Sequence, residues 1–383
     1  MPRPQTAQPP PTPVPHPLPA TARTPVALGT LAAALMVVLG VTWWLVPEWN
    51  YFSDPNDHLI TPLITPTGSM LVMLGTALIG LATGVAALFG VLPRTGLMIG
   101  AASQVIIFGF VLQGMGTLST AGYLVAVAMP VAVVVLLVQV VRRYPRARWF
   151  IGLPGLALLL VGAFWLREPL ATLVPTMAAG LFAASPMIMV TATLITATIA
   201  WGLVLVRAWA GAPSYDRAFD AVVRHRRVIT VLAACGPLPY ALLRLTWLTP
   251  FRQFAPGEMG LDTVVWGLTL SSGAWLGFVL TLGLIRPWGE VFPRWMPGLA
   301  ARPVPIAAAA VPGGTVAVVL TAAALPILVG PGRAGWLDRL ELALVFPCWA
   351  WGPLLGLAVW GYIGHRQRTG TVVPATPTAT VAA

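Results

Sequence analysis

The chain is predicted to be an all-α, polytopic membrane protein with about ten transmembrane helices and both termini cytoplasmic. Three observations lead there. Of 383 residues, 57% are hydrophobic and only 9% are charged; mean hydropathy is +0.84. A soluble domain carries about 25% charged residues, so this composition cannot coat a water-facing surface. Secondly, ten stretches approach the roughly 20 mostly apolar residues that a span needs: 26–46, 70–92, 97–113, 123–141, 151–166, 186–206, 228–248, 263–285, 306–329 and 342–363. Thirdly, all 22 basic residues are arginine. With the N-terminus inside, only Arg167, Arg244, Arg252, Arg333 and Arg339 fall on the outer side, and the other 17 of the 22 lie inside. Such a bias orients a chain in the cell membrane. It also accounts for the +11 net charge, and no basic-aromatic patch suggests nucleic acid.

Residues 1–25 are proline-rich and lack the order of a cleaved leader, so they read as a disordered cytoplasmic tail. Residues 26–364 form the transmembrane domain, and 365–383 a second loose tail. Acidic residues mirror the arginines: only Asp216, Asp220 and Glu290 are inside. An odd number of spans would break this alternation. Residues 167–185 leave open an outer loop, an interfacial helix or a re-entrant piece. Trp43, Trp44, Trp149, Trp209, Trp247, Trp336 and Trp360 stand near span ends, as in an interfacial aromatic belt.

Three inner loops share a pattern: Pro93-Arg94 before Gly96-Leu97, Pro145-Arg146 before Gly152-Leu153, and Pro293-Arg294 before Gly298-Leu299. A repeated helix pair would produce it, as would ordinary border chemistry. Ten spans also divide into five plus five, the arrangement of several inverted-repeat transporters. Pro237 and Pro239 interrupt span seven, but span two as bounded has no matching proline. Gly80–Gly84 and Gly96–Gly100 have the GxxxG spacing of closely packed helices, within the chain or between copies. In the longest inner loop, Ser214 is placed to cap a helix with Asp216 in its first turn. Ala218, Phe219, Val222 and Val223 share one face, so 214–227 reads as an amphipathic helix on the inner leaflet.

Arg244 is the sharpest polar residue. A guanidinium in a span is costly and marks a candidate site; Tyr240 lies one turn earlier on the same face. Two upstream prolines free backbone carbonyls that can bind a ligand. The competing reading is that Arg244 snorkels to the outer headgroups. Its candidate counter-ions are Glu258 and Asp262. In the first outer loop, Asp54, Asp57 and His58 are available for a cation, but Asp-Pro-Asn-Asp is also a turn sequence, and no metal site is assigned. The proline-stiffened loop 286–305 presents Arg286, Arg294, Trp295 and Arg302 to a partner or an anionic lipid headgroup. Glu290 and Arg294 would pair across one turn if helical. Cys235 and Cys348 lie in apolar segments and read as packed small hydrophobes.

No phosphate loop, HExxH or GxSxG is present, and the spans as bounded hold no carboxylate. The expectation is therefore a non-enzymatic integral membrane protein without cofactors, its surroundings the lipid bilayer. Two more specific readings are a small-molecule or lipid transporter with a site near Arg244, and a membrane-complex or homo-oligomer subunit that docks a cytoplasmic partner.

The segment 240–247 and the runs Arg286-Pro287-Trp288-Gly289, Pro293-Arg294-Trp295-Met296-Pro297-Gly298 and Arg302-Pro303-Val304-Pro305 resemble a group of uncharacterised multi-pass integral membrane proteins of high-GC actinobacteria. The absence of lysine fits such a genome. The group has no assigned activity, so the resemblance implies a location and no catalytic residue.

Overall fold

The computed structural model describes residues 20–54, 58–114, 116–117, 138, 157, 164, 167–251, 260–294, 301–329 and 335–370. Among them the protein is helical, and β pairing is limited to two isolated bridges, His58 with Gly114 and Val291 with Pro303. Eight helical segments are long and apolar enough to cross a membrane: Arg23–Leu45, Thr61–Leu88, Arg94–Val111, Ser185–Trp209, Arg226–Leu248, Thr263–Gly283, Ile306–Val329 and Trp336–Gly370. They coincide with eight of the ten expected spans. The other two, 123–141 and 151–166, lie outside the described residues except for the single positions 138, 157 and 164.

Helix α1 (Ala20–Leu45) begins inside the stretch read as a tail, with Pro25 in its second turn. Helix α2 (Thr61–Leu88) starts earlier than expected and is broken at Thr65, with φ 71° and ψ 160°. A residue before proline avoids the α region. Thr65 then accepts the Gly68 N–H on its hydroxyl at 3.3 Å, capping the main helix with Pro66 at its first position. Span two thus does carry a proline break, but near its N-terminal end. Helix α3 (Arg94–Ile106) continues into a π turn, Ile107–Val111. The segment left open at 167–185 is a helix, α4 (Arg167–Ala183), separated by Ala184 from α5 (Ser185–Trp209). Then follow α6 (Pro213–Arg224), α7 (Arg226–Cys235), α8 (Leu238–Leu245) and α9 (Leu261–Gly283). The chain ends in α10 (Ile306–Val329), α11 (Trp336–Val345) and α12 (Cys348–Gly370). Helix α12 takes in residues 365–370, which the sequence reading had placed in the loose tail.

Two cores result. Met36, Met73, Ala77, Phe108, Leu194 and Trp201 join α1, α2, α3 and α5. Ala233, Leu320, Ala323, Ile327, Leu355 and Tyr362 join α7, α10 and α12. A five-plus-five division would put α5 with the second group, yet it packs on α1 and α3. The small-residue spacings act inside the chain. A Cβ at Gly80 would overlap the Gln104 amide, one at Gly84 the Thr30 hydroxyl, and one at Gly100 the Thr83 side chain. Lipid offers no hydrophobic drive between helices, so such close approach is what holds them.

Loops that the alternation places on one side do meet. Arg94 donates from Nε to the Ala208 carbonyl (2.7 Å) and from Nη2 to that of Ala210 (3.3 Å), satisfying the C-terminus of α5 with a cation. Phe219 and Val223 of α6 lie against Gly364 of α12, and Val222 against Gly361. The apolar face of α6 is thus covered by α12 rather than resting only on lipid. Ser214 does not cap α6; Pro213 occupies its first position, and the Ser214 hydroxyl accepts the Trp209 indole N–H at 2.9 Å. At the opposite end the Tyr51 and Thr191 hydroxyls lie 3.1 Å apart. The tryptophans divide: Trp44 and Trp336 are 59% and 72% exposed, as belt residues are, whereas Trp43 and Trp247 are turned inward at 5%. Trp149 lies outside the described residues. Cys348 is buried, but Cys235 is exposed rather than packed, and both are free thiols.

Candidate functional site

Span seven is a discontinuous helix. α7 runs for ten residues, about 15 Å, so its end at Cys235 falls near the middle of the 23-residue segment Arg226–Leu248. Pro237 and Pro239 have no N–H to return to the carbonyls of Ala233 and Cys235. The Ala233 carbonyl instead accepts the Gly236 N–H at 3.1 Å. Gly236 is required by a neighbour: a Cβ there would overlap the Trp351 indole of α12. The Trp351 Nε1 is buried without a hydrogen-bond partner.

Beyond the break, α8 carries Tyr240 and Arg244 on one face, and a 3-10 turn, Thr246–Leu248, brings Trp247 round beside them. The Arg244 guanidinium carbon lies 3.9 Å from the Trp247 ring centroid and 5.0 Å from that of Tyr240. Tyr240 in turn stacks on Phe346, centroids 4.6 Å apart at 33°. Arginine on an aromatic face gains electrostatic attraction that grows as water is excluded. Trp247 and Tyr240 are only 5% and 9% exposed. Arg244 Nε is buried and has no acceptor. A freely snorkelling side chain would keep its whole head in water; here the guanidinium is clamped between rings. Arg244 lies eight residues past Gly236, about 12 Å along the axis, towards the C-terminal end of the span.

Opposite stands α11. Asp338 and Glu341, three apart, share a face with Leu342 and Val345. Together with Tyr240, Leu243, Arg244 and Phe346 they line a cavity of about 240 Å3. Among the described residues neither carboxylate is in an ion pair with Arg244; the ion pairs are His365–Glu290 and Arg368–Asp220. Of the counter-ions expected from sequence, Glu258 and the Asp262 side chain lie outside the described residues. Asp338 and Glu341 are the residues that sequence reasoning missed. The available signal was their spacing on a short helix beginning on the same side as Arg244, but nothing local ties that helix to span seven.

The inner loop is built differently from expectation. Phe292 donates to the Arg302 carbonyl at 2.9 Å, Ala301 to Phe292 at 3.0 Å, and Val304 to Glu290 at 2.9 Å, forming an antiparallel hairpin stem. Prolines 287 and 293 preclude the helix that a Glu290–Arg294 pair requires. Glu290 instead meets His365 at 3.1 Å. α12 clamps the loop: the Tyr362 hydroxyl donates to the Gly289 carbonyl at 2.8 Å, and Arg366 donates to the Val304 carbonyl at 3.0 Å and to the Tyr362 oxygen at 2.8 Å. Arg286, Arg294 and Arg302 are exposed on this hairpin; Trp295 lies outside the described residues.

In the first outer loop His58 is buried, its Nε2 3.0 Å from the Tyr51 carbonyl oxygen, among the rings of Tyr51 and Phe52. Packing accounts for it, and Asp54 is exposed, while Asp57 lies outside the described residues. No group of three His, Cys, Asp or Glu side chains that could hold a metal ion occurs among the described residues. No family model, curated protein or solved structure matches the chain, so its function rests on these residues alone.

Proposed function

We propose that this integral membrane protein is a non-enzymatic transporter of the cell membrane that takes up a small polar solute at the outer mouth of span seven. Ten spans with both termini cytoplasmic complete the proposal, on the strength of the arginine distribution. The observation that carries the reading is Arg244. Its guanidinium is held by Tyr240 and Trp247 and opens into a cavity edged by two carboxylates. A half-buried cation with its Nε unpartnered in such a frame suits ligand binding better than anchoring. Transport rather than mere binding is favoured by what lies beneath it: the same span is broken midway along its length, where Pro239 leaves the Cys235 carbonyl without its helical donor and the Trp351 indole N–H is buried without a partner. Native mass spectrometry of the detergent-purified protein tests this. A bound small molecule lost in Arg244→Ala, with folding intact, supports the reading; a bound species unchanged by that substitution refutes it.

A second reading is a subunit that docks a cytoplasmic partner through loop 286–305. The hydrogen-bonded hairpin stem with exposed Arg286 and Arg302 favours it. A protein co-purifying at fixed stoichiometry, and lost on substitution of Arg294 and Trp295, would select that reading instead.

A further inference from the structure

Resting on the reading of Arg244 as a solute site, we infer that the ligand is a zwitterion, held by its anionic group on Arg244 and by its ammonium between Asp338, Glu341 and the Phe346 ring. The charges decide this. One cation and two carboxylates line the same small cavity without pairing among the described residues. A bare anion arriving at Arg244 would meet Asp338 and Glu341; a bare cation arriving at those acids would meet the guanidinium. A molecule with both charges a few ångströms apart meets a complement at each end. Trp247 covers a face of the guanidinium, which leaves its N–H edge for a carboxylate or phosphate, the geometry in which arginine binds oxyanions best. Phe346 lines the cavity with the two carboxylates, and an aromatic ring together with acids is the combination that recognises ammonium groups.

Size narrows the class. About 240 Å3 is below the usual range of roughly 300–1,000 Å3 for drug-sized ligands, which suits an amino acid or a phosphoethanolamine unit. The chemistry has two sources, a free zwitterionic solute or the headgroup of a zwitterionic phospholipid in the outer leaflet.

The test is calorimetric titration of the purified full chain with two zwitterions and their halves. O-phosphoethanolamine is compared with inorganic phosphate and ethanolamine, and leucine with isocaproate and isoamylamine. One zwitterion is expected to bind at least about tenfold more tightly than either half, since a charge-assisted partner contributes that much. Arg244→Gln should abolish this binding. Asp338→Asn with Glu341→Gln, isosteric changes at exposed positions, should weaken the zwitterion several-fold yet strengthen the anionic half. This opposite response is the signature of the inference. If the anionic half binds as well as the zwitterion, and the double substitution leaves the zwitterion unaffected, the site is a plain anion site: the inference fails and the solute-site reading stands. If no probe binds the wild-type chain and Arg244→Gln changes nothing, both fail. Nanodiscs separate the sources. Retention of phosphatidylethanolamine over phosphatidylglycerol, lost in Arg244→Gln, identifies the lipid; saturable binding of the free probe without lipid selectivity identifies the solute.

Discussion

Replacing Gly84 by alanine adds one methyl group at the closest approach of α1 and α2. That carbon would overlap the Thr30 hydroxyl and lie 2.9 Å from Thr30 Cβ and 3.1 Å from Thr30 Cγ2. The hydroxyl is not free to swing away without loss, because it donates to the Val26 carbonyl at 2.7 Å. Forcing a methyl group into a packed interface costs about 1 to 3 kcal/mol. The upper half of that range applies here, since two backbones and not a flexible chain end must separate. Thr30→Ala removes the hydroxyl and Cγ2 but keeps Cβ, so the double variant should regain most of the loss. Thermal unfolding in detergent, followed by tryptophan fluorescence across the four chains, measures the coupling. A coupling above about 0.5 kcal/mol is expected for residues in contact. Additive effects would refute the assigned contact. A change in oligomeric state with unaltered stability would instead assign Gly84 to an interface between copies.

Gly236→Val should abolish folded yield, because its side chain must enter the Trp351 ring; Trp351→Ala should restore part of it, read as monodisperse protein by size exclusion. Arg366→Gln removes charge-assisted hydrogen bonds to Val304 and Tyr362 and should destabilise the loop 286–305 by about 2 to 4 kcal/mol, seen as faster tryptic cleavage at Arg294. Arg94→Ala leaves the last carbonyls of α5 without their donor; a loss of about 1 kcal/mol is expected in the same unfolding assay.

Apolar length and arginine bias made eight of the described helices legible, because lipid permits few alternatives to a helix of spanning length. Arg244 was legible for a related reason: an arginine in a span is conspicuous. Its setting was not. Asp338 and Glu341 reach it through the packing of α11 on α8, nearly a hundred residues away in sequence, and no local pattern encodes that. Local rules failed where a stronger neighbour intervened. The Ser214 cap gave way to Pro213 at the first helical position, and the Glu290–Arg294 spacing had no helix to act on. The face of Phe219, Val222 and Val223 was read correctly as apolar, but only the folded chain reveals that Gly361 and Gly364 cover it.

The account turns on whether the Arg244 cavity opens outward and holds a ligand. The most direct measurement is the labelling rate of Leu342→Cys, in a chain also carrying Cys235→Ser and Cys348→Ala, by a membrane-impermeant maleimide on intact cells. Leu342 lines the cavity beside Arg244. The account predicts labelling from outside, slowed by the zwitterion that binds in calorimetry, with the protection lost when Arg244→Gln is added. Labelling only after the inner face is exposed, or a rate that the zwitterion leaves unchanged, would contradict it.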